Sequence, residues 1–304
     1  MKIVIAGGSG FVGSRLITRL VRAGHQATVL TRRANLPAPA GAAVAHWSGR
    51  PGGERLTVLD GADAVVNLCG EGVADRPWTA GRRRAILDSR VDSTRALVEG
   101  IAAASPRPLA LINASAVGWY GAPSAGGESA PRGTGFLPDV CARWEEEALK
   151  AAPSRVALLR IGVVLGREGG ALPRMLPPFR LGVGGRLGSG AQWFPWIHVD
   201  DVVGMIVAAL GDERWRGPIN AVAPNPATNA DFTRALGAAL HRPVVFPVPA
   251  FALKLLLGDM SVLLLGSQKL TADAALELGY SFRHPDVGEA LADLLGDGSG
   301  KNRV

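Results

Sequence analysis

The sequence predicts an α/β fold, a doubly wound parallel sheet that carries a small C-terminal lobe. Three observations lead there. Short β-rich runs alternate with helical patterns along residues 1–165, the signature of parallel strands joined by crossover helices. A glycine-spaced turn joins the first strand to the first helix. No linker divides the 304 residues, and at 47% hydrophobic they are enough for a sizeable core.

Taken in order, KIVIAG (2–7) reads as a buried strand and SRLITRLVRAG (14–24) as a helix stopped by Gly24. QATVLTR (26–32) is a second strand and ADAVVNLCG (62–70) another. RRAILDSRVDSTRALVEGIAAA (83–104) is a long helix, and PLALINASAVG (108–118) is a strand running into a loop. FLPDVCARWEEEALK (136–150) is the next helix, followed by the strand segment SRVALLRIGVVLG (154–166). Residues 166–197 are rich in Gly and Pro and suggest loops over a cleft. WIHVDDVVGMIVAAL (196–210) then leads to a strand in PINAVAP and to a helix over 228–240, capped by Thr228 or Asn229. FALKLLLGDMSVLLLG (251–266) is too short to span a bilayer, which takes about 20 residues. Lys254 and Asp259 also interrupt it, so a buried or partner-facing helix is expected.

The net charge is +7, but only five of the 33 basic residues are lysine, and Arg82-Arg83-Arg84 has no interleaved aromatics. A solvated basic face is expected and no nucleic-acid partner. Two cysteines, Cys69 and Cys141, make neither a disulfide framework nor a metal cluster, so no metal is expected. MKIVIAGG does not read as a signal peptide. The expectation is a soluble, reduced, cytoplasmic protein with no membrane span.

The strongest motif is IAGGSGFVGS (5–14), with Gly7, Gly10 and Gly13 spaced GxxGxxG between strand and helix. Gly7 permits the tight turn. Gly10 lets the backbone approach a pyrophosphate, and Gly13 permits close packing of helix on strand. Ser9, Phe11 and Val12 complete the cradle. The helix N-terminus offers unpaired N–H groups and a positive dipole end to phosphates. The expected fold is therefore a Rossmann sheet that binds a dinucleotide. An acid ending the second strand would hold a ribose 2′-OH. Here that strand ends Thr31-Arg32-Arg33, and no Asp or Glu precedes Glu54. A guanidinium at Arg32, with the Thr31 hydroxyl beside it, suits a 2′-phosphate, so NADP(H) is the expected cofactor.

These features, with NLCGEGV (67–73), Trp78 before Ser89-Arg90, SAVGWYG (115–121) and RIGVVLG (160–166), resemble the extended short-chain dehydrogenase/reductases. The resemblance is closest to an atypical branch, the "epimerase family" proteins (NAD-dependent epimerase/dehydratase-like) of uncharacterised substrate. PFRLGVGGRLGSGAQWFPWIHVDD (178–201), NAVAPNPATNADF (220–232) and LLGSQKL (264–270) carry it through the chain. It implies a dinucleotide-binding core over 1–165, with 198–240 returning to it, and a substrate-side lobe from 166–197 and 241–304. It also implies that Leu68 and Cys69 pass the adenosine and that Val164 lines the nicotinamide side. Arg90 either faces the cofactor or is a plain surface arginine.

The family at large pairs a Ser or Thr with Tyr-x-x-x-Lys, where the lysine lowers the phenol pKa for proton exchange. Ser115 fills the hydroxyl slot. The tyrosine–lysine pair is absent: Tyr120 is followed four residues on by Ser124, and Tyr280 by His284. On the expected helix the candidate pairs are Val140–Trp144 and Cys141–Glu145, and neither reproduces a cation beside an acidic phenol. Trp144 is expected against the nicotinamide or the sheet, Glu145 as a hydrogen-bonding or solvated acid, and Cys141 as a small core residue. Tyr120, on a loop over the cofactor, and His198 remain as proton donors; His198 reads equally as a pin for its loop, with Asp201 capping the next helix. Two functions are open. One is an NADP(H)-dependent oxidoreductase or epimerase, acting on an unidentified small carbonyl or sugar-type compound with non-standard proton transfer. The other is a catalytically silent NADPH-binding sensor or scaffold. Either allows a homodimer.

Overall fold

Val4 and Ala6 point to one side of the first strand and Ile3 and Ile5 to the other, and all four are fully buried. A strand buried on both faces must be covered by helices on both. The computed structural model, which describes residues 1–296 apart from 34–36, 38, 40 and 54, has that arrangement. Seven parallel strands form the central sheet: β1 (Lys2–Ala6), β2 (Gln26–Thr31), β3 (Ala43–His46), β4 (Ala64–Asn67), β5 (Ala110–Ala116), β7 (Arg155–Ile161) and β11 (Gly217–Ala221). Their order is β11-β7-β5-β4-β1-β2-β3. The chain builds outward from β1 to β3, then crosses back to β4 on the other side of β1. That reversal leaves a crevice at the strand ends between β1 and β4, where ligands bind in such sheets.

Helices α1 (Phe11–Arg22) and α5 (Val199–Gly211) cover the face of Ile3 and Ile5, through Leu16, Ile17 and Leu20 and through Val202, Met205 and Ile206. Helices α2 (Ala80–Ala103) and α3 (Phe136–Leu149) cover the face of Val4 and Ala6, through Leu97, Ile101 and Ala148. α1 starts at Phe11, three residues before the expected run, because Gly10 serves as its N-cap. Among the described residues no helix is long and apolar enough to cross a membrane.

Three two-stranded sheets build the lobe and tie it to the core: β8 (Val163–Leu165) with β10 (Trp196–His198), β9 (Trp193–Phe194) with β12 (Ala227–Thr228), and β6 (Ser124–Gly126) with β13 (Gln268–Leu270). Helices α4 (Leu172–Arg180), α6 (Asn229–Ala239) and α10 (Val287–Leu295) close a third apolar cluster around Trp196, Phe232, Leu236 and Leu291. α6, grouped with the core by its place in sequence, thus packs with the lobe helices. Thr228, not Asn229, caps α6, in a reciprocal box with Asp231.

The apolar segment 251–266 departs from expectation. It is split into α7 (Ala250–Leu257), a 3-10 turn (Gly258–Ser261) and α8 (Val262–Leu265). Gly258 breaks it at φ +56°, and Phe251, Leu255 and Leu256 are 73%, 87% and 81% exposed. The remaining short helix is α9 (Asp273–Glu277), on the α5 side of the sheet.

Candidate functional site

The glycine turn lies in the crevice between β1 and β4. Gly7 has φ +78°, and a Cβ there would come 2.6 Å from the carbonyl carbon of Leu68. A Cβ on Gly13 would lie 2.5 Å from the Gly7 oxygen, so helix and turn touch only because that position is bare. Gly10 is different: its Cβ would meet only the Gly7 oxygen, at 3.2 Å, and would otherwise point away from the protein. The Gly10 N–H donates to that oxygen at 3.0 Å. Ser9 and Gly10 are exposed, Phe11 and Val12 half-buried. The first turn of α1 holds no acid, and its last turn carries Arg19 and Arg22. The bare concave turn and the unopposed helix N-terminus fit a dinucleotide pyrophosphate. The Phe11 ring lies against Gly166 and Gly169, where a Cβ would come 2.1 and 2.4 Å from its atoms.

At the end of β2 the Thr31 hydroxyl accepts from the Arg33 N–H at 3.0 Å, and Arg32 is exposed to solvent. At the end of β4 Leu68 and Cys69 pass the turn, with the Leu68 N–H bonded to Ala6 O at 2.9 Å. Burial pushes the Cys69 thiol up to about 11.

A cleft of about 1060 Å³ opens between the sheet and the lobe, beyond the ends of β5 and β7. Arg90 lines it, with its guanidinium donating to the Glu71 and Ile86 carbonyls, both at 3.0 Å, and lying 5.1 Å from the Trp144 ring. Ile161, Gly162 and Val163 form the wall after β7; Val164 packs against the core cluster on the α1 and α5 side instead. On α3 Phe136, Leu137, Pro138, Val140 and Cys141 line the cleft, and Leu137 and Cys141 face Gly118. Burial, then the Glu145 carboxylate, pushes the Cys141 thiol up to about 12.

The expected proton donors lie elsewhere, and here the structure corrects the sequence reading. Ser115, Glu145, Arg160, Tyr120 and Asn220 form a buried chain behind the wall. The Ser115 hydroxyl donates to Glu145 Oε1 at 2.6 Å. Arg160 holds the same carboxylate with two bonds of 2.9 Å and donates to the Tyr120 hydroxyl at 3.0 Å. Tyr120 in turn donates to Asn220 Oδ1 at 2.7 Å. Burial pushes the Tyr120 phenol up, the opposite of what proton exchange near neutral pH needs. Tyr120 is therefore a core residue of a 3-10 turn (Val117–Tyr120), not a loop residue over the crevice. Trp144 also points inward: its indole donates to Thr94 Oγ1 at 3.0 Å, in a network where the Asn67 side chain donates to Thr94 and Asn113. This network, linking β4, β5, α2 and α3, had no local signal in the sequence.

His198 is likewise structural. Its Nδ1 accepts from the Asp200 N–H at 3.1 Å and caps α5. Asp201, expected as the cap, instead accepts from the backbone N–H groups of Arg283 and His284 at 2.8 and 3.0 Å, holding down the segment before α10. Burial, then the neighbouring His284, pushes His198 down to about 4. His198, His284 and Asp293 have ligand atoms within 4.8 Å of one another. With Nδ1 accepting a hydrogen bond, however, the neutral ring carries its proton on Nε2, and that nitrogen has no lone pair for a metal.

Comparison with known proteins follows these lines. A family model described as "NAD dependent epimerase/dehydratase family" matches residues 3–220, and one described as "Domain of unknown function (DUF1731)" matches 248–294. The chain is 42% identical to the "Epimerase family protein SDR39U1 homolog, chloroplastic" of Arabidopsis thaliana, over 97% of this chain and 87% of that one. It superposes with TM-score 0.88 and 35% identity on a crystal structure of human epimerase family protein SDR39U1 (isoform2) with NADPH, covering 97% and 99% of the two chains. A structure described as the nucleoside-diphosphate sugar epimerase from Corynebacterium glutamicum gives TM-score 0.79 at 34% identity, over 97% of this chain and 58% of that one.

Proposed function

Since the chain belongs to the NAD dependent epimerase/dehydratase family of extended short-chain dehydrogenase/reductases, we propose that it binds NADP(H) in the crevice between β1 and β4. The observation that carries this is the glycine turn, whose outer face only Gly10 leaves bare. The N–H groups opening α1 hold the pyrophosphate, and Arg32 with Thr31 holds the 2′-phosphate in a strand end that lacks an acid. The human relative crystallised with NADPH supports the same choice. Leu68 and Cys69 flank the adenosine, and Arg90, whose guanidinium rests against the Trp144 ring, orients the nicotinamide end.

When bound, NADPH supplies a hydride. The chain's part is to hold a small carbonyl or sugar-type compound in the cleft, between Ala116, Val117 and Cys141 on one wall and Trp193 and Phe194 on the other. It does so without a Tyr-x-x-x-Lys proton relay. The second reading, a catalytically silent NADPH-binding sensor or scaffold, is favoured by one observation: Ser115, Tyr120 and His198 are absent from the cleft lining, and all are buried in hydrogen bonds. The two free thiols fit a reducing compartment, and a cytoplasmic protein is part of this reading. The test is a pair of measurements. NADPH and NADH are titrated by calorimetry, and bound NADPH is then followed for oxidation against a panel of carbonyl compounds and nucleotide-sugars. Tight NADPH binding with turnover of a panel member supports the enzyme; tight binding with none supports the silent protein; failure to bind either cofactor overturns both.

A further inference from the structure

Three amide side chains around the cleft are already engaged. Gln192 donates to the Leu187 and Leu264 carbonyls at 2.9 and 3.2 Å, Gln268 to the Val117 and Gly121 carbonyls at 2.9 and 2.6 Å, and Asn229 accepts from the Leu187 N–H at 2.8 Å. These side chains fasten the lobe's backbone. The space between them is walled by rings and aliphatic groups, among them Phe136, Leu137, Phe179, Leu187, Trp193 and Phe232.

Two further arginines line the mouth, and each has a carboxylate partner across the cleft. Arg83 on α2 bonds Asp259 in the lobe's 3-10 turn at 2.5 Å, and Arg174 on α4 bonds Asp75 in the loop after β4. Arg83 also lies over the rings of Trp78 and Phe136. The apolar surface continues outward: Val262 on the rim follows the turn that leads from α7, which shows Phe251, Leu255 and Leu256 to solvent.

From this lining we infer that the cleft selects an elongated, largely apolar carbonyl compound over a nucleotide-sugar; the inference names the substrate class of the site proposed above and rests on that reading. A nucleotide-sugar carries a diphosphate, whose charge is costly to bury away from cationic donors or the N–H groups of a helix N-terminus. The mouth arginines could serve only by leaving Asp75 and Asp259, which breaks two of the ion pairs joining lobe to core. Among the described lining residues of the interior the one cation is Arg90, which the reading above assigns to the nicotinamide end of the cofactor. An apolar chain, by contrast, displaces only water from the rings, and each methylene it buries adds to the affinity.

The test uses the full chain and the methyl ketones heptanone, nonanone and undecanone, titrated by calorimetry with and without NADPH, beside UDP-glucose. The expected affinity rises roughly four-fold per added methylene, so about an order of magnitude at each step, and undecanone binds more tightly than UDP-glucose. Phe136→Glu should flatten the series, while Leu255→Ser with Leu256→Ser on exposed α7 should leave it intact. Trp193→Gln serves as the second cleft variant should Phe136→Glu unfold. Affinity independent of chain length, UDP-glucose as the tighter ligand, or a series that follows α7 and ignores the cleft variants would each overturn the inference. A length-dependent series in a protein that binds no NADPH leaves the inference standing and removes the cofactor reading.

Discussion

Ser115 and Glu145 meet at 2.6 Å, hydroxyl to carboxylate, with both side chains sealed beneath the cleft wall. The hydroxyl at the end of β5 thus completes the surroundings of a buried ion pair. The Glu145 carboxylate holds the Arg160 guanidinium with two bonds, and Arg160 in turn lies against the Trp119 ring at 4.0 Å. What occupies a proton donor's expected place is an internal strut between β5, β7 and α3.

Stability changes should dominate in this strut. Glu145→Gln or Arg160→Met leaves one buried charge without its partner and should cost about 3–5 kcal/mol. Ser115→Ala removes a single bond to the carboxylate and should cost about 1.5–3 kcal/mol. Denaturant melts check all three; a Ser115→Ala protein that melts like wild type yet loses turnover would return Ser115 to the chemistry.

The proposed cofactor choice turns on Arg32. Arg32→Ala should weaken NADPH about ten- to hundred-fold, the loss of a charge-assisted pair worth about 1.5–3 kcal/mol, and leave NADH nearly unchanged. Equal losses for both would assign Arg32 a structural part.

The glycines should separate binding from folding. Gly10→Val places a side chain in the phosphate's space but meets only one protein atom closely, so binding of either dinucleotide should vanish while the melt stays near wild type. Gly13→Ala forces α1 off the turn and should destabilise by about 1–3 kcal/mol, as overpacking does. Calorimetry and thermal melts distinguish the two.

His198 gives a pH dependence. Its folded value, about 4, lies below the ordinary 6.5, so the folded state favours the neutral ring. The stabilisation is complete above about 6.5 and is lost as the pH falls toward 4. His284, Asp200, Asp201 and Asp293 all face the ring. His198→Asn keeps an acceptor for the Asp200 N–H and should flatten the stability profile between pH 6.5 and 4. An unchanged profile would move the titration to another group.

Neither thiol should react in the native protein. Cys69 and Cys141 stand at about 11 and about 12, so thiolate is scarce at neutral pH. Iodoacetamide should modify them only after unfolding, as mass spectrometry would read out.

Much of the fold was legible because its signals are local. The β1 run, the turn at Gly7–Gly13 and the buried face of α1 each lie within a few residues, whereas the strand order that puts the switch between β1 and β4 is set by pairing across the sheet. The parts that escaped depend on partners far along the chain. Tyr120 is withdrawn from the crevice by Asn220, one hundred residues away, and Asp201 spends its carboxylate on residues 283 and 284. Trp144 turns inward to reach Thr94 on another helix. Spacing put Val140 and Cys141 in the slot that a tyrosine would fill, and both line the cleft; that Leu137 lines it with them came only with the packing. The break at Gly258 was readable in principle, since a glycine inside an apolar run marks a stop.

Phe11 has a further consequence. Its backbone belongs to the phosphate cradle, while its ring fills the hollow that Gly166 and Gly169 leave at the entrance to the lobe. The two binding regions therefore share a hinge pin. Free energy exchanged through such a shared part runs equally both ways: whatever tightening a dinucleotide imposes on the lobe, a compound filling the cleft imposes on the dinucleotide, and a bulkier residue at 166 or 169 would set both affinities at once.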